Sequence, residues 1–405
     1  MKILRIIARL NVGGPARHVV WLTQALQGDG VESKLIAGTV PEGEEDMSYF
    51  ADEHGVEPVY IREMSRELSA RDAVSFWKVL RTIYREHPDV IHTHTAKAGT
   101  VGRAAAFVYK WLTPGTLVGR PRRVRVVHTF HGHVFHSYYG KRKTQLFILI
   151  EKILARLASD KIIVITPQQF REIHSDVGVG RSEQFEVIPL GIDLSKFRAS
   201  DLERDEFRSE FRVSPATLLV GFVGRLTEIK NIPMLVEAAK QYFDAEDAPD
   251  AKFIIVGDGH MRGELQELAG PLGDRIIFAG NRDDLGRVYA GLDVVGLTSL
   301  NEGTPLSLIE AMASHRPVIA TTVGGVADLL GASDTSEEGF AVHERGIGVQ
   351  SKDAAGFAKG LIYLAKNEKL RFDLSNTGHQ FAIDNYGKER LISDIRSLYH
   401  RLLEQ

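Results

Sequence analysis

The sequence predicts an α/β protein of two halves, each a parallel sheet with helices on both faces. Three observations carry that expectation. The chain has 405 residues, and at roughly 150 residues per domain this suits two large domains. Short apolar stretches alternate with helical patterns along its whole length, as in βαβ units. Partway along, the alternation restarts, and the second series of strands ends in glycine or small polar residues. That is where an open parallel sheet binds its ligand.

The elements follow in order. Ile3 to Ala8 reads as a first strand, followed by the turn Gly13-Gly14-Pro15 and a helical pattern through Val19, Val20, Leu22, Ala25 and Leu26. Further strands are expected at Glu32 to Ala37, at Val90 to His92, at Arg123 to His128 and at Lys161 to Ile165, with a Gly- and Ala-rich helix from Ala98 to Val108. Ile188 to Phe197 and the charged stretch Asp201 to Arg212 read as the interdomain linker. In the second series, Leu218 to Val223 leads to Gly224, and Phe253 to Val256 leads to Gly257-Asp258-Gly259. Arg275 to Phe278 leads to Ala279-Gly280, Asp293 to Leu297 to Thr298-Ser299, and Pro317 to Ala320 to Thr321-Thr322. Lys388 to Gln405 reads as an amphipathic helix carrying Leu391, Ile395, Leu398 and Leu402.

Composition excludes several classes. Hydrophobic residues are 43% and charged residues 25%, the balance of a soluble globular protein rather than a disordered or fibrous one. With no cysteine, disulfides, thiolate zinc sites and thiol catalysis are ruled out. No apolar run approaches the roughly 18 residues of a spanning helix, and the start carries no signal-peptide pattern. A cytoplasmic location is expected. Net charge is −3, yet Lys97 to Arg171 holds 14 Lys or Arg against Glu151 and Asp160, a net +12 that leaves −15 elsewhere. That asymmetry points to an anionic partner: a membrane surface, a phosphorylated acceptor or nucleic acid. Lys141-Arg142-Lys143 beside Leu146 to Ile150, with Arg120, Arg122, Arg123 and Arg125, suits peripheral attachment to an anionic inner membrane face. The competing reading is a core-facing helix with a charged outer side.

The most informative segment runs from Ser299 to Ala313. Thr304 fits a helix N-cap and Pro305 the first helical position. The free amides around Gly303, Thr304, Pro305 and Leu306 then form an anion site with the helix dipole. Glu302 precedes the helix, and Glu310 lies about one and a half turns into it. Such a pair can hold the hydroxyls of a sugar and a ribose.

This segment resembles the Glu-x7-Glu motif of the retaining nucleotide-sugar glycosyltransferases of family 4, or group 1. Their GT-B fold sets two Rossmann-like domains across a cleft. Other motifs resemble that family in its order. They are Gly13-Gly14-Pro15, His92 to Gly99 with Gly102-Arg103, Thr129-Phe130-His131-Gly132, Ile188 to Asp193, Gly224-Arg225-Leu226 with Lys230, and Gly257-Asp258-Gly259. The segment from His92 is similar to members that build bacterial surface polysaccharides and lipid-linked glycans. The resemblance implies an amino-terminal acceptor domain over 1–195 and a donor domain over 196–384, with residues 385–405 packing back on the first.

Residue by residue it implies a site. Arg225 and Lys230 grip the donor diphosphate, Glu310 the ribose, and Glu302 the transferred sugar. His131 orients that sugar. Gly13, Gly14, Gly257 and Gly259 admit the nucleotide or sugar closely, and Arg282 lies against the base. Pro15, His94, Lys97 and His133 fall on the acceptor side. His92, His94, His128, His131, His133 and His136 are six of fifteen histidines. They are expected to line the acceptor side rather than hold a metal, since no carboxylate series stands near. The chain has no Asp-x-Asp, so metal-independent transfer is expected, with no cofactor and no nucleic acid partner. The donor is a nucleotide-sugar, most naturally a uridine one, and the acceptor a glycan or a polyprenyl-diphosphate-linked glycan. An epimerase or phosphorylase of the same fold, a dinucleotide oxidoreductase and a noncatalytic nucleotide-binding module are the alternatives. Against the oxidoreductase, no Gly-x-Gly-x-x-Gly follows the first strand.

Overall fold

The computed structural model describes residues 1–11, 13–41, 46–64, 71–131, 141–198 and 200–404. The chain divides into two compact units, Met1–Gly191 with Glu389–Gln405, and Ile192–Lys388.

Among the described residues the first unit has seven strands: β1 Lys2–Ile7, β2 Glu32–Gly38, β3 Val59–Ile61, β4 Val90–His94, β5 Arg125–Thr129, β6 Lys161–Val164 and β7 Phe185–Val187. They lie in the order β3-β2-β1-β4-β5-β6-β7, all parallel. The Ile and Val of β1, β4 and β5 are buried, as in a parallel sheet covered on both faces. The chain steps outward from β1 to β2 and β3, then returns past β1 to lay down β4. The strand order therefore reverses between β1 and β4, and such a point leaves a crevice at the carboxyl ends of the strands.

The second unit has eight strands: β8 Leu218–Val223, β9 Ala251–Val256, β10 Ile276–Gly280, β11 Val294–Leu297, β12 Val318–Thr321, β13 Ser333–Glu337, β14 Phe340–His343 and β15 Gly346–Val349. Their order is β10-β9-β8-β11-β12-β15-β14-β13, so the reversal falls between β8 and β11. The sheet is parallel as expected, with an antiparallel addition at one edge. β14 runs antiparallel to both β13 and β15. Every residue of β13 is exposed, which an edge strand allows.

The charged stretch read as linker is also different. Asp201–Glu210 is a helix of the second unit, capped by the Ser200 hydroxyl. It buries Phe207 completely. It also buries Arg208, whose guanidinium bonds Asp293 at 3.0 Å and the carbonyl of Gly291 at 3.1 Å. A buried guanidinium needs such partners.

The last helix is Lys388–Glu404, and from Glu389 on it is part of the first unit. Leu391, Ile395, Leu398, Tyr399 and Leu402 are buried against Ile3, Leu22, Leu26, Val90, Val127, Ile163 and Ile188. Arg390 ties its start to the carbonyls of Pro189 and Leu190, each at 2.8 Å. No helix among the described residues is long and apolar enough to cross a membrane. Truncating Leu398→Ala is expected to cost about 2–5 kcal/mol of first-unit stability, since the cavity cannot collapse fully. Chemical denaturation measures it, and a loss below about 0.5 kcal/mol would show that the helix is not part of that core.

Candidate functional site

The site in the second unit is built on the loops after β8, β9, β11 and β12. β8 ends at Gly224, and Leu226 is buried just beyond Arg225. The Leu226 amide donates to the Asp258 carbonyl at 2.9 Å, which joins the loops after β8 and β9. Gly257 has a φ of +132°, and a Cβ there would stand 2.0 Å from the Gly224 carbonyl oxygen. At Gly259 a Cβ would stand 2.3 Å from that of Leu226. Glycine is thus demanded by the packing of one loop on the other, and that packing sets where Arg225 emerges. Arg225 is exposed; among the described residues its guanidinium makes no hydrogen bond or ion pair, and its backbone carbonyl accepts from the Thr227 amide at 3.1 Å.

Lys230 closes a 3₁₀ turn, Glu228–Lys230, before a left-handed Asn231. Its ammonium donates to Glu302 Oε1 at 2.5 Å. The Ser299 hydroxyl donates to the same oxygen at 2.6 Å, and Thr298 Oγ1 donates to the Lys230 carbonyl at 3.0 Å. Residues expected to face two parts of one ligand therefore face each other.

The helix begins one residue later than expected. It spans Leu306–Ala313 with Pro305 as N-cap. Thr304 does not cap it; its Oγ1 is buried without a partner. Pro305 takes an extended ψ of 95°, and its carbonyl accepts from Leu308 and Ile309. No backbone carbonyl among the described residues accepts from the amides of Gly303, Thr304, Leu306 or Ser307. Free amides at a helix start carry partial positive charge. Behind the loop stand Gly324 and Gly325, which sequence reasoning missed. The Gly325 amide donates to the Glu302 carbonyl at 3.0 Å, and a Cβ on Gly325 would stand 1.8 Å from the Gly303 carbonyl oxygen. The signal was present as a Gly-Gly pair soon after β12.

Glu310 accepts from the Tyr289 hydroxyl at 2.9 Å. Burial, and then the Glu310 charge, push the Tyr289 hydroxyl well above its ordinary pKa, so it stays a donor and orients the carboxylate. Arg282, expected against the base, is engaged elsewhere. Its guanidinium bonds Glu210 at 2.5 Å and Asp284 at 2.7 Å and lies over Phe207 and Phe211. Those hydrogen bonds hold its pKa above the ordinary arginine value.

In the first unit the candidate residues lie at the ends of β1, β4 and β5, at the strand reversal. Gly13 is the N-cap of the helix Gly14–Ala25, with Pro15 in its first turn. Space is open around Gly14. His94 Nδ1 and His131 Nε2 are 2.9 Å apart. Lys97 is buried and paired with Asp72 at 2.6 Å. His133 and His136 lie outside the described residues. His92 and His128 do not line the acceptor side. Both are fully buried; His92 bonds Tyr399 at 2.6 Å and Thr129 at 2.7 Å, and His128 bonds Thr93 at 2.8 Å. The residue missed was His18, whose ring meets that of His131 edge-on at 4.8 Å.

Comparison with known proteins fits this architecture. Residues 12–196 match the family described as Glycosyltransferase Family 4, and residues 217–367 the family described as Glycosyl transferases group 1. The chain is 26% identical over 348 residues to the UDP-Gal:alpha-D-GlcNAc-diphosphoundecaprenol alpha-1,3-galactosyltransferase of Escherichia coli, covering 84% of this chain and 82% of that one. It is 23% identical over 357 residues to the capsular polysaccharide biosynthesis glycosyltransferase CapM of Staphylococcus aureus, covering 86% of each. Among solved structures, Anabaena HepE in complex with UDP aligns with a TM-score of 0.78 at 20% identity, over 99% of this chain and 100% of that one. The chain belongs to the group 1, family 4 glycosyltransferases, and its two Rossmann-like units are those of the GT-B fold.

Burial holds His18, His92, His94 and His128 well below the ordinary histidine pKa, and His131 at about 4. These rings are neutral in the fold and take up protons on unfolding below about pH 6.5. Their stabilisation is complete above that pH and is lost progressively as pH falls below it, for His131 down to about 4. Each fully buried ring contributes a slope of about 1.4 kcal/mol per pH unit. In a chelating buffer, the urea midpoint is expected to drop clearly between pH 7 and pH 5. An unchanged midpoint would mean that the rings are not held neutral.

Proposed function

We propose that the protein transfers a hexose, with retention and without a metal ion, from a uridine diphosphate sugar to a glycan or polyprenyl-diphosphate-linked acceptor. Family membership supports the transferase class. The UDP named in the HepE complex, and the UDP-Gal and diphosphoundecaprenol in the Escherichia coli enzyme's name, support the donor and acceptor classes. The observation that carries the reading is the unpaired Arg225, close in sequence to Lys230 and in the same unit as the open start of the helix Leu306–Ala313.

The chemistry follows from charge. As the glycosidic bond breaks, negative charge grows on the leaving diphosphate. Arg225, Lys230 and the free amides stabilise that charge more in the transition state than in the ground state. The work a divalent cation would do is done by fixed positive groups. Lys230 neutralises Glu302 here; a diphosphate gives Lys230 a more highly charged partner. Glu302 then keeps the Ser299 hydroxyl and turns its freed valence to the sugar. Glu310, held by Tyr289, accepts from the ribose. His131 orients the sugar. No side chain is placed as a nucleophile, so the acceptor attacks from the face the diphosphate leaves, and the departing phosphate takes its proton.

Peripheral attachment to the cytoplasmic face of a membrane is part of the proposal. On the helix Lys141–Ala158, Leu146, Leu149, Ile153 and Leu157 form one stripe, each between 48% and 57% exposed. The opposite side buries Glu151, Ala155 and Ala158. The stripe is not core-facing, contrary to the alternative reading. Part of the +12 charge is internal, however: buried Lys97 pairs with Asp72, an acid outside the segment, at 2.6 Å.

Glu302→Gln is expected to lower kcat about 100-fold or more with little change in donor KM, by loss of a contact strongest in the transition state. Glu310→Ala is expected to raise donor KM about tenfold with a smaller effect on kcat. Steady-state kinetics that reversed these assignments would refute them. In vesicle flotation, anionic lipid is expected to retain the protein, and Leu149→Glu with Leu157→Glu to weaken that binding severalfold. Binding that ignored lipid charge would sink the electrostatic part.

A further inference from the structure

Three imidazoles meet at the open edge of the first sheet, each from a different element. His18 comes from the helix Gly14–Ala25, His94 from the end of β4, and His131 from just past β5. One ring nitrogen of each lies within 4.8 Å of the other two. Both ring nitrogens of His18, Nε2 of His94 and Nδ1 of His131 are buried with no hydrogen-bond partner. A buried polar atom left unpaired costs about 1–3 kcal/mol, and buried side-chain polar atoms are nearly always satisfied. Each neutral imidazole offers one nitrogen lone pair, so three rings whose nitrogens lie this close can serve one electron-pair acceptor.

We propose that His18, His94 and His131 form a transition-metal site for an ion of the Zn²⁺ class. The donor set is three imidazoles and no carboxylate, which suits Zn²⁺, Co²⁺ or Ni²⁺ and not Mg²⁺ or Ca²⁺. A tetrahedral ion bonded at about 2.0–2.1 Å holds its nitrogens about 3.3 Å apart. The widest edge of the cluster therefore tightens by about 1.5 Å on binding. The set is braced from behind, because the ring of His94 lies 4.1 Å from that of His92, tilted by 36°, and His92 is itself held by Tyr399 and Thr129. Arg5, buried and bonded to Ser33 at 2.5 Å, adds positive charge on that side and weakens binding, so micromolar affinity is expected. Three ligands leave a fourth position open. An ion here takes up the ring that the proposed function gives to the donor sugar, so occupancy slows transfer. That consequence rests on the proposed transfer reaction, whereas the site itself does not.

The test is a Co²⁺ titration of the full chain after chelator treatment, read by the intense visible bands of four-coordinate cobalt and by competition with Zn²⁺. One equivalent is expected to bind. His18→Gln and His94→Asn, each checked for folding by circular dichroism, are expected to abolish the bands, and exposed His400→Ala to leave them unchanged. Absence of the bands in the wild-type chain, or bands that persist in either folded variant, would overturn the proposal. If Co²⁺ binds and transfer proceeds at its full rate, the metal site stands and the sugar-orienting role of His131 falls.

Discussion

Arg225 stands without a carboxylate of its own, and the neighbouring cation, Lys230, is held by a glutamate that a substrate can replace. This uneven neutralisation is the constraint around which the second unit is arranged. A folded chain ordinarily pairs or solvates its charges. Here the loops after β8 and β11, flanking the strand reversal, collect positive groups near free helix amides. On the proposed function, an anion with two phosphates completes the arrangement.

The precision of that arrangement comes from backbone on backbone. Gly257 and Gly259 let one loop rest on Gly224 and Leu226, while Gly324 and Gly325 let another rest on Glu302 and Gly303. Side chains at these four positions would push the cation loop and the acid loop from their places. The first unit is stiffened differently. Its C-terminal helix lays Tyr399 against His92, and so supports the histidine cluster at the ends of β4 and β5. Distant sequence is thereby tied to local chemistry.

Much of this was legible in the amino-acid sequence, for physical reasons. β8, β9, β11 and β12 are short Val- and Ile-rich runs because both faces of a central parallel strand are buried. β3 and β7, three residues each, are too short to show periodicity. β13 is wholly exposed and carries no apolar signal. The helix start at Pro305 was displaced by one residue, because an extended proline can itself end the loop. The contacts that define the sites were the least legible. Lys230 finds Glu302, and Arg282 finds Glu210, each 72 residues away. His18 joins His94 and His131 only because β1, β4 and β5 are neighbours in the sheet. Such pairings follow from topology and leave no mark on local spacing.

The most direct measurement is a crystal structure of the protein with bound UDP. On this account the diphosphate lies within hydrogen-bond reach of Arg225 and of the amides of Leu306 and Ser307. Lys230 has left Glu302 for a phosphate oxygen, and Glu310 meets the ribose. A diphosphate bound elsewhere, with the Lys230–Glu302 pair still closed, would contradict the account at its foundation.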